Sequence, residues 1–255
     1  MSNTDIHAAV ALTHRQEWAR VVATVNKRFG DLDIAEDAAG EAFAAALERW
    51  PADGVPPNPG AWLTVTATRK AIDQLRREQK RDGKHREAQV MFDDEPPEPL
   101  GAIEDLRLRL IFTCCHPALS AEARIALTLR MVAGLTVGEI ARAFLVQETT
   151  MGQRITRAKT KIREAHIPFR LPSADDLPAR MSGVLAVLYL VFNEGYLASG
   201  TDTNAVRDDL TAEAIRLCRL LRELAPGDGE VTGLLALMLM TEARRSARLS
   251  SSGDL

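Results

Sequence analysis

The sequence has few aromatic residues, which make up only 5% of its 255 positions. Strands of β-sandwiches and barrels are enriched in aromatic and β-branched residues, so this scarcity argues against an all-β protein. Alanine and leucine, which both favour helices, are abundant instead. We therefore expect an all-α fold, and the length fits one large domain or two to three small ones.

Cysteine is also scarce. Three cysteines, of which Cys114 and Cys115 are adjacent, cannot form a disulfide framework, and a reducing cytoplasm is the expected compartment. No second cysteine or histidine pair stands at zinc-binding spacing from Cys114, Cys115 and His116, so we interpret these three as a buried helix end. We expect no metal and no other cofactor.

Long apolar runs and catalytic motifs are missing too. The longest apolar stretches, near 183–192 and 231–240, are too short to cross a bilayer, and the first ten residues lack the pattern of a signal peptide. The sequence contains no glycine-rich phosphate loop and no G-x-S-x-G nucleophile motif. We expect a cytoplasmic protein that is not an enzyme and does not bind membranes.

Charge is unevenly distributed, although the net charge is only −3. Between residues 64 and 86, eight basic residues face three acidic ones, and residues 93–105 carry six acids and no base. The acidic stretch also contains several prolines and cannot build a core, so we predict a linker over 88–102. A second proline-rich joint near 168–178 leaves three segments, 1–87, 103–167 and 178–255.

The first segment predicts three helices. The first ends at Gly30, Asp33 caps the second, and residues 51–60 form a turn. The third runs from Ala61 to about Arg81, and its apolar side would be formed by Trp62, Val65, Ile72 and Leu75. Basic residues that follow Trp62 suit a nucleic acid with unstacked bases, and the alternative is an ordinary solvated helix.

The middle segment predicts a helix-turn-helix. Thr136 caps a short helix to Phe144, residues 145–147 form the turn, and a longer helix runs to about Ala165. The expected core positions are Ile140, Ala141, Phe144, Val146 and Ile155. The outward positions have the chemistry that contacts base edges and phosphates in a major groove; they are Thr149, Thr150, Gln153, Arg154, Arg157, Lys159 and Lys161. The alternative is a helical hairpin with a basic surface.

These motifs together resemble the extracytoplasmic-function sigma factors of bacteria. The resemblance rests on residues 35–77 (AEDAAGEAFAAALERWP…NPGAWLTVTATRKAIDQLRR) joined to residues 117–165. The chain departs from the usual pattern at Gly40, where glutamine is common, and at Thr68 or Arg69, where asparagine is common. From Arg180 onward it resembles the subgroup with a C-terminal tetratricopeptide-like extension, which would continue through further repeats.

The resemblance implies a domain for each segment. Residues 1–87 would be sigma region 2, 103–167 would be region 4, and 178–255 would be the helical extension. The linker would run near the active-site and RNA-exit channels of the polymerase. The implied partners are core RNA polymerase, at its clamp and flap regions, and promoter DNA.

The resemblance also implies roles for particular residues. The polymerase clamp would be bound by Asp37, Glu41 and Phe43. The −10 element would be recognised and melted by Asn58, Trp62, Lys70, Asp73, Arg76 and Arg77. The −35 element would be read by the outward residues of the helix-turn-helix listed above.

The extension needs its own interpretation. A repeat hairpin cannot bury its apolar face alone, so we expect it to pack on the preceding domains, on another chain or on further repeats. The subgroup is thought to lack a conventional membrane anti-sigma factor, so the extension is the candidate for contact with a regulatory protein. The alternative is a module that only adds stability.

Two other functions compete with a sigma factor. An autonomous helix-turn-helix regulator would bind a palindromic site tightly without polymerase. A helical-repeat adaptor would bind acidic proteins through its basic surfaces, without dependence on Arg76 or Arg154.

Overall fold

A computed structural model of the chain describes residues 3–81, 100–173, 175–196 and 208–244. All regular elements in these ranges are helices, as the composition predicted. They are α1 (Asn3–Phe29), α2 (Leu32–Asp53), α3 (Pro59–Arg81), α4 (Leu100–Cys114), α5 (Ala121–Met131), α6 (Val137–Ala143), α7 (Glu148–Glu164), α8 (Leu177–Tyr196), α9 (Asp208–Leu224) and α10 (Gly229–Ala243). No described helix is long and apolar enough to cross a membrane.

The chain forms two compact units, Met1–Arg107 and Leu108–Leu255, with the boundary inside α4. The three segments predicted from the sequence are therefore grouped differently, because the second and third fall in one unit. Most of the predicted linker, residues 88–99, lies outside the described residues.

The first unit contains α1, α2 and α3, and each of the three packs against the other two. Gly30 ends α1 with a φ of 68°, which glycine adopts without strain. Asp31, and not the predicted Asp33, caps α2, since its carboxylate accepts hydrogen bonds from the amides of Asp33 and Ile34. The predicted turn over 51–60 is shorter than expected, because α2 continues through Pro51 to Asp53.

The buried face of α3 differs from the predicted one. Leu63, Ala67 and Ala71 are fully buried, whereas Val65 is 50% exposed. Trp62, Ile72 and Leu75, which the prediction also placed in the core, are only half-buried. The buried alanines of α2 and α3 allow the two helices to approach closely, and the larger side chains of α3 lie at the edges of this contact.

The second unit begins with the end of α4 and continues through α5 to the helix-turn-helix, which is formed by α6 and α7. The hydroxyl of Ser120 caps α5, and Thr136 and Glu139 form a reciprocal capping box at the start of α6. At the end of α6, the amide of Val146 donates to the carbonyl of Ala141, and that of Leu145 donates to Arg142. This pair of bonds is a Schellman motif, and Leu145 takes its left-handed position with a φ of 53°.

The C-terminal helices belong to the same unit as the helix-turn-helix. α8 packs on α9, on α10 and on α5. At the start of α8, the Arg180 guanidinium donates to the backbone carbonyl of Phe112 in α4 and lies 6.0 Å from its ring centroid. The extension thus packs on the preceding helices, which is one of the three arrangements expected from the sequence.

Candidate nucleic-acid interface

The longer helix of the helix-turn-helix, α7, is sharply divided into two faces. Its buried face consists of Met151, Ile155, Ala158 and Ile162. Five of the seven predicted outward residues line one open groove of about 370 Å³ between α7 and the start of α5; they are Thr150, Gln153, Arg154, Arg157 and Lys161. Thr149 is exposed outside this groove, and Lys159 is half-buried.

Arg154 does not point freely into solvent. Its guanidinium carbon lies 5.7 Å from the ring centroid of Phe144, the residue that ends α6. Phe144 is half-buried, so the prediction of a core residue is wrong for this side chain, as it is for half-buried Val146. Ile140, Ala141 and Ile155 are buried as predicted.

The exposed face of α7 includes a position that the sequence analysis missed. Thr156 is exposed and lies three residues after Gln153 and seven after Thr149, which places all three on one side of the helix. The helical spacing was the available signal. At the start of the helix, the Gln147 side chain makes no capping hydrogen bond, and the first turn carries the acidic Glu148.

The first unit has a charged cleft of about 460 Å³ between α2 and α3. It is lined by Glu41, Lys70, Asp73, Arg76 and Arg77. The Lys70 ammonium lies 3.1 Å from a carboxylate oxygen of Glu41, and both side chains are about two-fifths exposed. Four residues predicted to bind the −10 element thus share a cleft with one predicted to bind polymerase.

The other two residues predicted for the −10 element lie at the start of α3 and do not line this cleft. The Asn58 side-chain oxygen accepts a hydrogen bond from the Ala61 amide at 3.0 Å, so Asn58 caps α3. Trp62 is half-buried and packs edge-on against Trp50, with 5.6 Å between ring centroids. The Trp50 indole N–H is buried and has no partner among the described residues.

The three residues predicted to bind polymerase differ in exposure. Asp37 is exposed and Glu41 is half-buried. Phe43 is only 6% exposed, and its ring packs 4.9 Å from His14 and 6.0 Å from Trp18. The resemblance implied that Phe43 contacts polymerase, but its ring belongs to the core between α1 and α2 and is not presented at the surface.

Cys114 and Cys115 end α4 and are buried, as the sequence predicted. Burial raises the pKa of both thiols, that of Cys115 to about 11, although a hydrogen bond with Thr128 opposes this rise. Within the described residues no three histidine, cysteine, aspartate or glutamate side chains are grouped to hold a metal ion. Because burial raises the pKa of Cys114 and Cys115, both thiols are held in the neutral form at physiological pH.

Three family models match successive parts of the chain. Sigma-70 region 2 matches residues 14–81, and sigma-70 region 4 matches residues 109–162. A family described as being of unknown function matches residues 180–255. The two units of the structure therefore contain the two sigma regions in their usual order, and the third family begins at the residue where α8 contacts α4.

Two kinds of relatives are similar to the chain. An uncharacterized protein of Rhizobium meliloti is 44% identical over 231 residues, which are 88% of this chain and 54% of the relative. A protein of Mycobacterium tuberculosis named as a probable ECF RNA polymerase sigma factor, SigI, is 26% identical over 63% of this chain and 57% of its own length. The chain thus spans about half the length of these relatives, and no solved structure matches it.

Proposed function

The chain belongs to the sigma-70 family as an extracytoplasmic-function member, and from this membership we propose that it directs bacterial RNA polymerase to specific promoters. The observation that supports this most is the two-faced α7. It packs four apolar side chains inward and leaves polar and basic side chains exposed along an open groove. A helix of this kind has the form of a major-groove recognition helix.

In this proposal α7 reads the −35 element. Gln153 and Arg157 carry the side-chain groups that pair with adenine and guanine edges, and each good bidentate pair gives roughly 1–3 kcal/mol of discrimination. Both residues line the groove beside α5 together with Thr150, Arg154 and Lys161. Thr149 and Thr156 extend the same face. Lys161, on the side of α7 toward α5, would bind backbone phosphates, which fixes the register of the helix on the duplex.

The first unit would bind the −10 element as a single strand. Lys70, Arg76 and Arg77 line one cleft, where they would hold phosphates of the melted strand. Trp62 and Asn58 lie at the start of the same helix, and a half-exposed indole there would stack on an unpaired base. Unstacking costs a few kcal/mol per base, and stacking on an aromatic ring returns about 1–3 kcal/mol.

Core RNA polymerase would bind the surface of α2. Asp37 is exposed there and Glu41 is partly exposed, and basic groups on polymerase would replace the contact that Glu41 makes with Lys70. Such pairs set the orientation and rate of association more than the final affinity. Phe43 would act indirectly, by holding α2 against α1.

The extension is the proposed contact for a regulatory protein. α10 leaves Leu237 and Met240 exposed, at 49% and 61%, on the helix that ends the described part of the chain. Because α8 packs on α5 and its Arg180 contacts Phe112 of α4, a protein bound to the extension would act on the same unit that carries α7.

Run-off transcription with purified core polymerase tests the proposal. The chain is added or omitted on a library of promoter fragments, and transcripts that require it support the sigma function and define its −10 and −35 motifs. Absence of transcripts, together with failure to co-purify with core polymerase, would reject it. Tight binding to a palindromic duplex without polymerase would instead favour the autonomous regulator.

A further inference from the structure

The pair formed by Glu41 and Lys70 joins two surfaces that have different proposed partners. Glu41 lies on α2, in the set assigned to polymerase, and Lys70 lies on α3, in the set assigned to DNA. Their charged groups are 3.1 Å apart, so each is the binding partner of the other when neither polymerase nor DNA is present.

The cleft around this pair carries the positive charges that a phosphate site needs, but carboxylates in the same cleft offset part of this charge. Three cations line it, and Glu41 and Asp73 supply two carboxylates. The two acids differ in one respect. Asp73 is on α3 with the cations, whereas Glu41 comes from α2 and contacts the cationic group of Lys70 directly. A DNA phosphate that approaches Lys70 would meet a carboxylate of the same charge within a few ångströms.

We propose that the cleft binds a backbone phosphate of the −10 single strand and that Glu41 competes with this phosphate for Lys70 until polymerase takes the carboxylate. The inference rests on the proposed function, because it uses the partners assigned there. Linkage between two binding events is reciprocal, so DNA in the cleft would in turn free Glu41 for polymerase. The chain would therefore bind the −10 strand weakly alone and more tightly in the holoenzyme.

The test uses the full chain and a fluorescein-labelled, mixed-sequence single-stranded oligonucleotide, since phosphate contacts are independent of sequence. Glu41→Gln removes the competing charge and keeps the shape of the side chain. Glu48→Gln is the matched control, because Glu48 is an exposed acid on the same helix that does not line the cleft. Fluorescence anisotropy gives both affinities at one low salt concentration, and circular dichroism verifies that the variants fold.

We expect Glu41→Gln to bind the oligonucleotide about two- to fivefold more tightly than Glu48→Gln, the range that a partly exposed ion pair allows. The advantage should disappear in a Lys70→Gln background, and also when core polymerase is present. Equal affinities of the two variants would overturn the inference, as would an advantage that persists without Lys70.

The outcome is separable from that of the proposed function. The anisotropy comparison of the free chain needs no polymerase, whereas the sigma function is decided by promoter-dependent transcripts of the wild-type chain. If the wild-type chain gives transcripts but the two variants bind the oligonucleotide with equal affinity, the proposed function stands. The competition of Glu41 with a DNA phosphate for Lys70 is then rejected. Glu41→Gln could also bind the oligonucleotide more tightly than Glu48→Gln, in a way that requires Lys70, while the wild-type chain gives no transcripts and does not bind core polymerase. That result would support a phosphate site in the cleft and reject the role of polymerase in releasing Lys70 from Glu41.

Discussion

The guanidinium carbon of Arg154 lies 5.7 Å from the ring centroid of Phe144, so the short helix of the helix-turn-helix holds an arginine of the longer one. Cation–π contacts at partly exposed sites contribute about 0.5–1 kcal/mol. The contact restricts where Arg154 can reach, and it makes Phe144 a positioning residue for the proposed −35 contact.

Loss of this ring should weaken DNA reading through Arg154. We expect Phe144→Leu to lower affinity for a −35 duplex by about two- to fivefold at fixed salt, the equivalent of the cation–π contact. Arg154→Ala should lower it at least as much and reduce promoter-dependent transcription, while co-purification with core polymerase stays unchanged. In the Arg154→Ala background, Phe144→Leu should have no further effect, and an additive loss would show that the ring acts by another route.

A buried Phe43 predicts an effect on folding. Phe43→Ala should destabilise the first unit by about 3–5 kcal/mol, because it leaves a cavity beside His14 and Trp18. All three tryptophans, Trp18, Trp50 and Trp62, lie in this unit, so urea unfolding followed by tryptophan fluorescence reports on it specifically. Leu47→Ala is the control on the same helix, since Leu47 is 41% exposed and its truncation should cost much less. Similar losses for both variants would contradict the assignment of Phe43 to the core.

Leu145 predicts a gain in stability on substitution. A leucine in the left-handed position of a Schellman motif is strained by roughly 1–2 kcal/mol, and its side chain is 93% exposed and contributes little packing. Leu145→Gly should therefore stabilise the second unit by about 1 kcal/mol, measured as a higher midpoint in far-ultraviolet circular dichroism. Leu145→Ala keeps a Cβ and should give no comparable gain. A lower midpoint for the glycine variant would show that the leucine side chain stabilises the turn.

Gly195 and Gly233 make a pair of opposite predictions. A Cβ on Gly195 would lie 2.7 Å from the backbone nitrogen of Thr211, so Gly195→Ala should push α8 and α9 apart and lower the melting midpoint of the second unit. No atom lies within 4 Å of a Cβ built on Gly233, and Gly233→Ala should raise helix stability by up to about 1 kcal/mol. Equal effects of the two variants would rule out close packing at Gly195.

The buried thiols predict a loss of stability at alkaline pH. Burial raises the pKa of Cys115 and of Cys218 to about 11 from the ordinary value of 9.0, so the folded state binds more protons than the unfolded state between these values. Stability should be fully present below pH 9 and decline as pH rises toward 11. Cys218→Ala should reduce this decline, and melting midpoints measured across the window test it. At neutral pH a thiol reagent should label the chain only after unfolding.

The helices and their order were largely predictable, because capping residues, glycine stops and apolar periodicity are local signals. The buried face of α3 was not. Hydrophobicity ranks Trp62 and Val65 above Ala67 and Ala71, yet close approach of α3 to the alanine-rich α2 selects the small residues for the core.

In the candidate site, features that depend on one helix were predictable, whereas contacts between helices were not. The outward residues of α7 follow from helical spacing, and the turn over residues 145–147 was predicted from the sequence. The ion pair of Glu41 with Lys70 joins residues on different helices, and the packing of Phe43 involves α1 and α2. Contacts of this kind depend on tertiary geometry, which no spacing within one helix reveals.

The contact of Arg180 with Phe112 bears on where this chain can be divided. The proline-rich joint at 168–178 separates two families in the sequence, but a cut there would break the contact of Arg180 with Phe112 and expose the faces with which α8 packs on α5. Anyone who transplants the recognition helix into another protein should therefore carry the C-terminal helices with it. The exchangeable module begins near Leu108 and includes the extension.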